Sequence, residues 1–138
     1  MEVAQNRLIM DTDILVDVLR NVEKTVRFVE ELESKGCMIS TTVVNVFELY
    51  YGAYKSSKRL ENLAAVRKLV EKMTILKMGI RSAEEAGNIN AELEAEGEPI
   101  DIRDIIISAI AITKEHTLVT RNIRHLKRIK KLNLMAAP

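Results

Sequence analysis

The chain has 138 residues, 47% hydrophobic and 30% charged, the size and balance of one globular domain with a proper core, residues 1–138. A net charge of +1 makes no global demand for a polyanionic partner. Cys37 is the only cysteine, which excludes an internal disulfide and points to a reducing cytoplasm; Met1 to Arg7 lacks the apolar core of a signal peptide, and the longest apolar run, Ile105 to Ile112, falls far short of the roughly 18 residues of a membrane span.

Strand-like and helix-like segments alternate. Arg7 to Met10 reads as a first strand and Asp13 to Leu19 as a short helix. Asn21 is placed to cap a helix through Lys35, with Gly36 as its stop. Cys37 to Ser40 is a second strand. Thr41 or Thr42 caps a helix to about Tyr54, and another spans about Ser57 to Glu71. Met73 to Lys77 is a third strand. Ser82-Ala83-Glu84-Glu85 has the capping-box pattern of a helix ending near Gly97, and Gly97-Glu98-Pro99 is a turn. Ile102 to about His116 is long enough to favour a buried helix over a strand. Thr117 to Thr120 is a fourth strand, Asn122 to Lys131 a basic helix, and Leu132 to Met135 an edge strand. Strands separated by helices pair in parallel through crossovers. Such an open sheet sets its site beyond the carboxyl ends of its strands, where Asp11 and Thr120-Arg121-Asn122 stand.

Three acids occupy positions with little structural reason for charge. Asp11 ends the apolar run Leu8-Ile9-Met10, Glu48 interrupts the apolar stretch from Val43 to Tyr54, and Asp104 opens the run Ile105 to Ile112. A buried carboxylate must be paired, protonated or bound to a cation. These segments offer almost no Lys, Arg or His, and a divalent Mg²⁺ or Mn²⁺ prefers oxygen ligands of this kind. In Asp11-Thr12-Asp13, one carboxylate can turn into a metal site while the other caps the next helix; alternatively Asp13 is only a cap and Asp11 a turn residue. Glu48 shares a narrow helical face with Thr41, Asn45, Gly52 and Lys55, either a solvent stripe or the wall of a cleft. Phe47, Tyr50, Tyr51 and Tyr54 crowd the same helix and suit core, dimer contact or base stacking. Asp101 is an N-cap candidate, and Asp104 also suits the start of a helix dipole. Yet Asp104 and Ser108 share one face of an otherwise apolar helix, which directs Asp104 toward a buried polar point.

Charge is unevenly distributed. Between Glu84 and Asp104 stand eight acids and one base, Arg103; from Lys114 to Lys131 stand seven Lys or Arg, two His and one acid. This can set a basic surface beside an acidic pocket, or reflect solvated helix faces. His116 and His125 lack cysteine companions and zinc spacing.

In order, these segments resemble the PIN domain family, and within it the VapC-type toxins. Leu8-Ile9-Met10-Asp11-Thr12-Asp13-Ile14-Leu15 is similar to the first motif and Val46-Phe47-Glu48-Leu49-Tyr50-Tyr51-Gly52-Ala53 to the second. Gly97-Glu98-Pro99-Ile100 with Asp104-Ile105-Ile106-Ile107-Ser108-Ala109-Ile110-Ala111 is similar to the third, and Leu118-Val119-Thr120-Arg121-Asn122 to the fourth. The resemblance implies a three-layer α/β/α sandwich with a central, mostly parallel sheet of four or five strands. It implies a Mg²⁺- or Mn²⁺-dependent endoribonuclease cleaving single-stranded RNA, a homodimer, and inhibition by a small cognate antitoxin. Asp11, Glu48 and Asp104 map onto the acidic triad, and Asn122 onto the fourth position. Two departures stand out: His125 occupies the place where many relatives have an acid, and Leu126 replaces the aromatic after it. Asp11, Asp104 and Glu48 are the expected metal ligands, with Asp13, Thr12, Thr120, Ser108 and Asp101 in support. Arg121, Arg124, His125, Lys127 and Arg128 are expected to hold the RNA backbone.

Two other readings fit parts of the pattern. A haloacid-dehalogenase-type phosphatase also places Asp-x-Asp after its first strand, although Leu15 departs from that motif and no downstream catalytic lysine motif is evident. A PIN-like RNA-binding module with an inert pocket is the non-enzymatic reading.

Overall fold

A computed structural model of the chain describes residues 6–138. Residues 1–5, part of the stretch read above for a signal core, lie outside the described residues. The elements are β1 (Arg7–Met10), α1 (Thr12–Leu19), α2 (Glu23–Ser34), β2 (Met38–Thr42), α3 (Val43–Lys55), α4 (Arg59–Lys72), β3 (Thr74–Leu76), α5 (Ile80–Ala95), α6 (Ile102–Thr113), β4 (Thr117–Thr120), α7 (Ile123–Leu126) and β5 (Asn133–Ala136).

The five strands form one sheet in the order β3-β2-β1-β4-β5, and every pairing is parallel. Alternation along each strand sends side chains to opposite faces. Leu8 and Met10 of β1 and Val119 of β4 pack with Ile14, Leu15, Leu32, Leu49, Ala53, Leu63 and Val66, so α1 to α4 cover one face. Ile9 and Leu118 pack with Ala86, Ile89, Leu93, Ile105, Ile110 and Leu126, so α5, α6 and α7 cover the other. The result is the expected three-layer sandwich. The chain leaves β1 toward β2 on one side and returns as β4 on the other, which puts a topological switch point between β1 and β4. Ligands collect at the carboxyl ends of such strands.

Most segments fall where the pattern places them, and three differ. Asn21 does not cap α2; it sits at φ 56° and ends α1, with its N–H donating to the Val18 carbonyl and that of Val22 to Asp17, the paired bonds of a Schellman stop. Gly36, at φ 86°, ends α2 in the same manner. Ser82 does not begin α5. The helix starts at Ile80, and the buried Ser82 hydroxyl meets Thr113 Oγ1 of α6 at 3.0 Å, so a side chain with cap chemistry is used between helices. The basic segment 122–131 is helical only over Ile123–Leu126, although Leu126, Ile129 and Leu132 all turn inward to the core. Thr42 does cap α3, accepting from the Val44 and Asn45 N–H groups.

Candidate active site

Asp11 leaves β1 at the switch point. Its N–H extends the ladder to the Val119 carbonyl at 3.0 Å, and its side chain caps α1 by accepting from the Thr12 N–H at 2.9 Å. Asp11, not Asp13, is therefore the cap. The same carboxylate accepts from Asn45 Nδ2 at 3.3 Å and from Thr120 Oγ1 at 2.7 Å. Three donors from three elements fix its orientation.

Asn45 is fully buried and every polar atom of its amide is used. Oδ1 accepts from the Thr42 N–H and Oγ1, at 3.1 and 2.7 Å. Nδ2 donates to Asp11 and, at 2.9 Å, to Thr12 Oγ1. Thr12 Oγ1 in turn donates to Glu48 Oε1 at 2.5 Å. The stripe that holds Glu48 is thus divided: Asn45 and Glu48 stand at a cleft, Gly52 and Lys55 are exposed, and Asn45 is the residue that ties the first two motifs together. The sequence carried a signal for this, an amide one turn before Glu48 on the same face.

Asp11, Thr12, Asp13, Glu48, Asp104, Arg121 and Asn122 line one cleft of about 340 Å³. The structure thereby brings together the acidic triad, the fourth-position asparagine and two of the supporting residues. Thr120 bonds Asp11 from below, and its Oγ1 also receives the Asn122 N–H at 3.0 Å. Asp101 caps α6 at the rim, accepting from the Arg103 N–H at 2.8 Å. Ser108 is buried one turn beyond Asp104, and its Oγ has no hydrogen-bond partner among the described residues.

The triad is less bare of bases than its sequence neighbourhood suggests. Arg103 Nη1 lies 3.5 Å from Glu48 Oε2, while its Nε meets Asp101 Oδ1 at 3.2 Å. The sequence hid this contact because Arg103 and Glu48 are far apart along the chain. Arg121 pairs with Asp17 at 2.6 Å, and hydrogen bonds from Thr25 and then Arg121 hold the Asp17 carboxyl below its usual range. Of the basic segment, Arg124, His125 and Lys127 are exposed. Arg128 instead turns to the Glu98 carbonyl at 3.2 Å and the His125 carbonyl at 3.1 Å. His116 lies apart from the cleft, buried, with Nδ1 against the Lys114 carbonyl.

Asp104 is the anomalous acid. Its pKa is pushed up to about 6, chiefly by burial and then by the charges of Asp11, Asp101 and Glu48, with Arg103 opposing. No hydrogen bond to its carboxylate is formed among the described residues. An all-oxygen donor set with one uncompensated carboxylate suits a hard divalent cation. Among the described residues no three acidic, histidine or cysteine side chains close up as a complete ligand set. Mg²⁺ does not require that, since it binds through one or two carboxylates and keeps several waters. The residues present fit such an ion.

The chain matches the PIN domain family over residues 8–132. It is similar to the Ribonuclease VapC2 of Haemophilus influenzae, 36% identical over 125 residues that cover 89% of this chain and 92% of that protein. It is similar also to the tRNA(fMet)-specific endonuclease VapC of Shigella flexneri, 32% identical over 124 residues with coverage of 89% and 92%. The solved structure of VapBC2 from Rickettsia felis bound to a DNA fragment from its promoter superposes with a TM-score of 0.87 at 28% identity, covering 96% of this chain and 99% of that one. Sheet order, the acids gathered at the β1/β4 switch point and these likenesses agree that the chain belongs to the PIN domain family.

Proposed function

We propose that this chain, acting as one PIN-like domain, is a Mg²⁺- or Mn²⁺-dependent endoribonuclease that cleaves single-stranded RNA in the cytoplasm. It is the toxin of a type II toxin–antitoxin pair, it forms a homodimer, and a cognate antitoxin protein restrains it. The observation that carries the reading is the convergence of Asp11, Glu48 and Asp104 on one cleft in a chain whose relatives are ribonucleases. Membership of the PIN family removes the phosphatase alternative. No helix among the described residues is long and apolar enough to cross a membrane.

Asp11 and Asp104 would hold the cation, with Glu48 completing the set or orienting the attacking water. Bound there, the ion supplies charge neutralisation at the attacked phosphate and makes a water more acidic. Thr12 and Asn45 keep Glu48 and Asp11 aimed while the charge on the substrate changes, which limits reorganisation during the reaction. Asn122 sits across the cleft with its side chain uncommitted to capping α7 and adjusts the geometry. Arg124, His125 and Lys127, exposed and a few residues along the chain from the cleft-lining Asn122, suit phosphate contacts.

Purified protein is expected to cut a single-stranded RNA oligonucleotide with Mg²⁺ or Mn²⁺, to stop in EDTA, and to resume with excess metal. Cleavage indifferent to thorough chelation would sink the metal mechanism. Absence of cleavage, with RNA still bound, would instead identify an inert binding module.

A further inference from the structure

Arg103 is the cation at the edge of the cleft whose role the proposed reaction leaves open. Its Nε and Nη2 fork onto the two oxygens of Asp101, both at 3.2 Å, whereas a single nitrogen approaches Glu48, at 3.5 Å. The fork is the strong, planar geometry for a guanidinium. The contact with Glu48 is single and long. Glu48 does not depend on it for position, because Thr12 fixes its other oxygen. The arginine is thus able to give up Glu48 without leaving Asp101, and Glu48 stays aimed when it does.

The second arginine of the cleft lacks this freedom. Arg121 is committed to Asp17 at 2.6 Å, Thr25 at 3.1 Å and the Pro138 carbonyl at 2.6 Å. A cleft lined by Asp11, Asp13, Glu48 and Asp104 repels a polyanion, so a phosphate entering it needs a positive group supplied at its edge.

We propose that Arg103 is a two-position, phosphate-positioning guanidinium: anchored on Asp101, it covers the outer oxygen of Glu48 in the metal-free protein and passes to an RNA phosphate when a divalent cation takes that oxygen. The inference rests on the nuclease reading. It makes the cation and Arg103 competitors for Glu48, while the cation and the RNA favour one another's binding through Arg103, as linkage requires.

The test compares the full chain with its Arg103→Gln and Arg103→Lys variants. Mn²⁺ affinity is read without RNA by titration calorimetry, and kcat and KM are read on one single-stranded RNA oligonucleotide. Arg103→Gln is expected to bind Mn²⁺ about three- to tenfold more tightly than the parent, because the competing charge is gone. Its KM should rise roughly tenfold while kcat changes less than about threefold. Arg103→Lys keeps the charge but not the fork and should fall between on both scales; it decides the sign if the Gln variant does not fold. An arginine that only braces the start of α6 gives a different pattern, with weaker Mn²⁺ binding, lower kcat and a lower melting temperature together. That pattern, or variants with parental Mn²⁺ affinity and KM, overturns the inference while the parent's metal-dependent cleavage stands. A parent that neither binds Mn²⁺ nor cleaves refutes the nuclease reading, and the inference with it.

Discussion

Thr12 Oγ1 donates to Glu48 Oε1 at 2.5 Å across 36 residues of sequence, and the same hydroxyl accepts from Asn45 Nδ2. Through Asn45, whose Nδ2 also donates to Asp11, this hydroxyl links the strand-end acid of β1 to the helical acid of α3. Thr12→Val keeps the shape and deletes both bonds. Loss of a partner that orients a metal-holding group typically costs about 10–100-fold in affinity or activity, and that range is expected for kcat and for Mn²⁺ binding together. A Thr12→Val enzyme with parental kcat would show that Glu48 needs no such support.

Asp104 and Asp11 are expected to answer differently to the same substitution. Both Asp→Asn changes should abolish cleavage. Asp104, with no hydrogen bond to lose among the described residues and a pKa raised to about 6, carries a penalty when ionised in the folded state. The sign follows from linkage: the contribution is most favourable below its ordinary value of 3.8 and is lost as pH rises through about 6. At neutral pH, Asp104→Asn should stabilise the metal-free protein by roughly 1–2 kcal/mol after allowance for solvent screening at a half-buried site, and near pH 4 the difference should vanish. Asp11→Asn replaces an acceptor used by three donors and should cost about 1–3 kcal/mol at either pH. Melting curves at the two pH values separate these outcomes; a destabilised Asp104→Asn at neutral pH would mean that Asp104 serves only the helix dipole.

Much of this was legible from pattern. Short apolar runs between helical periods, such as Leu8-Ile9-Met10 and Leu118-Val119, are enough to name the strands, because the central strands of a parallel sheet bury both faces. Asp11, Glu48 and Asp104 stood out because charge among apolar neighbours requires a partner. What pattern could not supply were contacts made by the fold alone. Arg103 reaches Glu48 from another helix, and Asn45 reads as one polar residue among several until its four bonds are seen. Asn21 and Ser82 have the chemistry of N-caps, but Asn21 stops the preceding helix through its left-handed backbone, and Ser82, three residues past the Gly79 cap, bonds Thr113 of the neighbouring helix. The basic segment had the composition of a helix, yet only Ile123–Leu126 is helical.

The cations of that segment should divide in the same way. Arg124 and Lys127 are exposed, whereas Arg128 is bound to the Glu98 and His125 carbonyls. The double variant Arg124→Glu, Lys127→Glu should raise the RNA dissociation constant. It should also flatten the log–log salt dependence by about 0.7 for each phosphate contact removed. Arg128→Ala should leave the salt slope alone and lower the melting temperature. Fluorescence anisotropy across a salt series checks both; an unchanged slope in the double variant would take the segment out of the RNA path.

The exposed stripe of α3 predicts how two copies meet. Val43, Phe47, Tyr51 and Tyr54 are 43%, 56%, 51% and 51% exposed, and their spacing places them along one side of the helix. Phe47 and Tyr51 stack at 6.3 Å between ring centroids, with Lys55 over Tyr51. A continuous aromatic strip of this kind marks a contact surface, and aromatic residues are enriched at interfaces. In a two-fold dimer each residue is used twice, so one charge introduced at its centre is felt on both sides. The parent is expected to sediment as a dimer at tens of micromolar, an order-of-magnitude range for interfaces of ordinary size. Phe47→Asp should sediment as a monomer with a folded-state circular dichroism spectrum like the parent's. Glu48 is the next residue but points about 100° away around the helix, so the monomer should still bind Mn²⁺. A parent that stays monomeric throughout that range, or a Phe47→Asp variant that stays dimeric, would move the interface elsewhere.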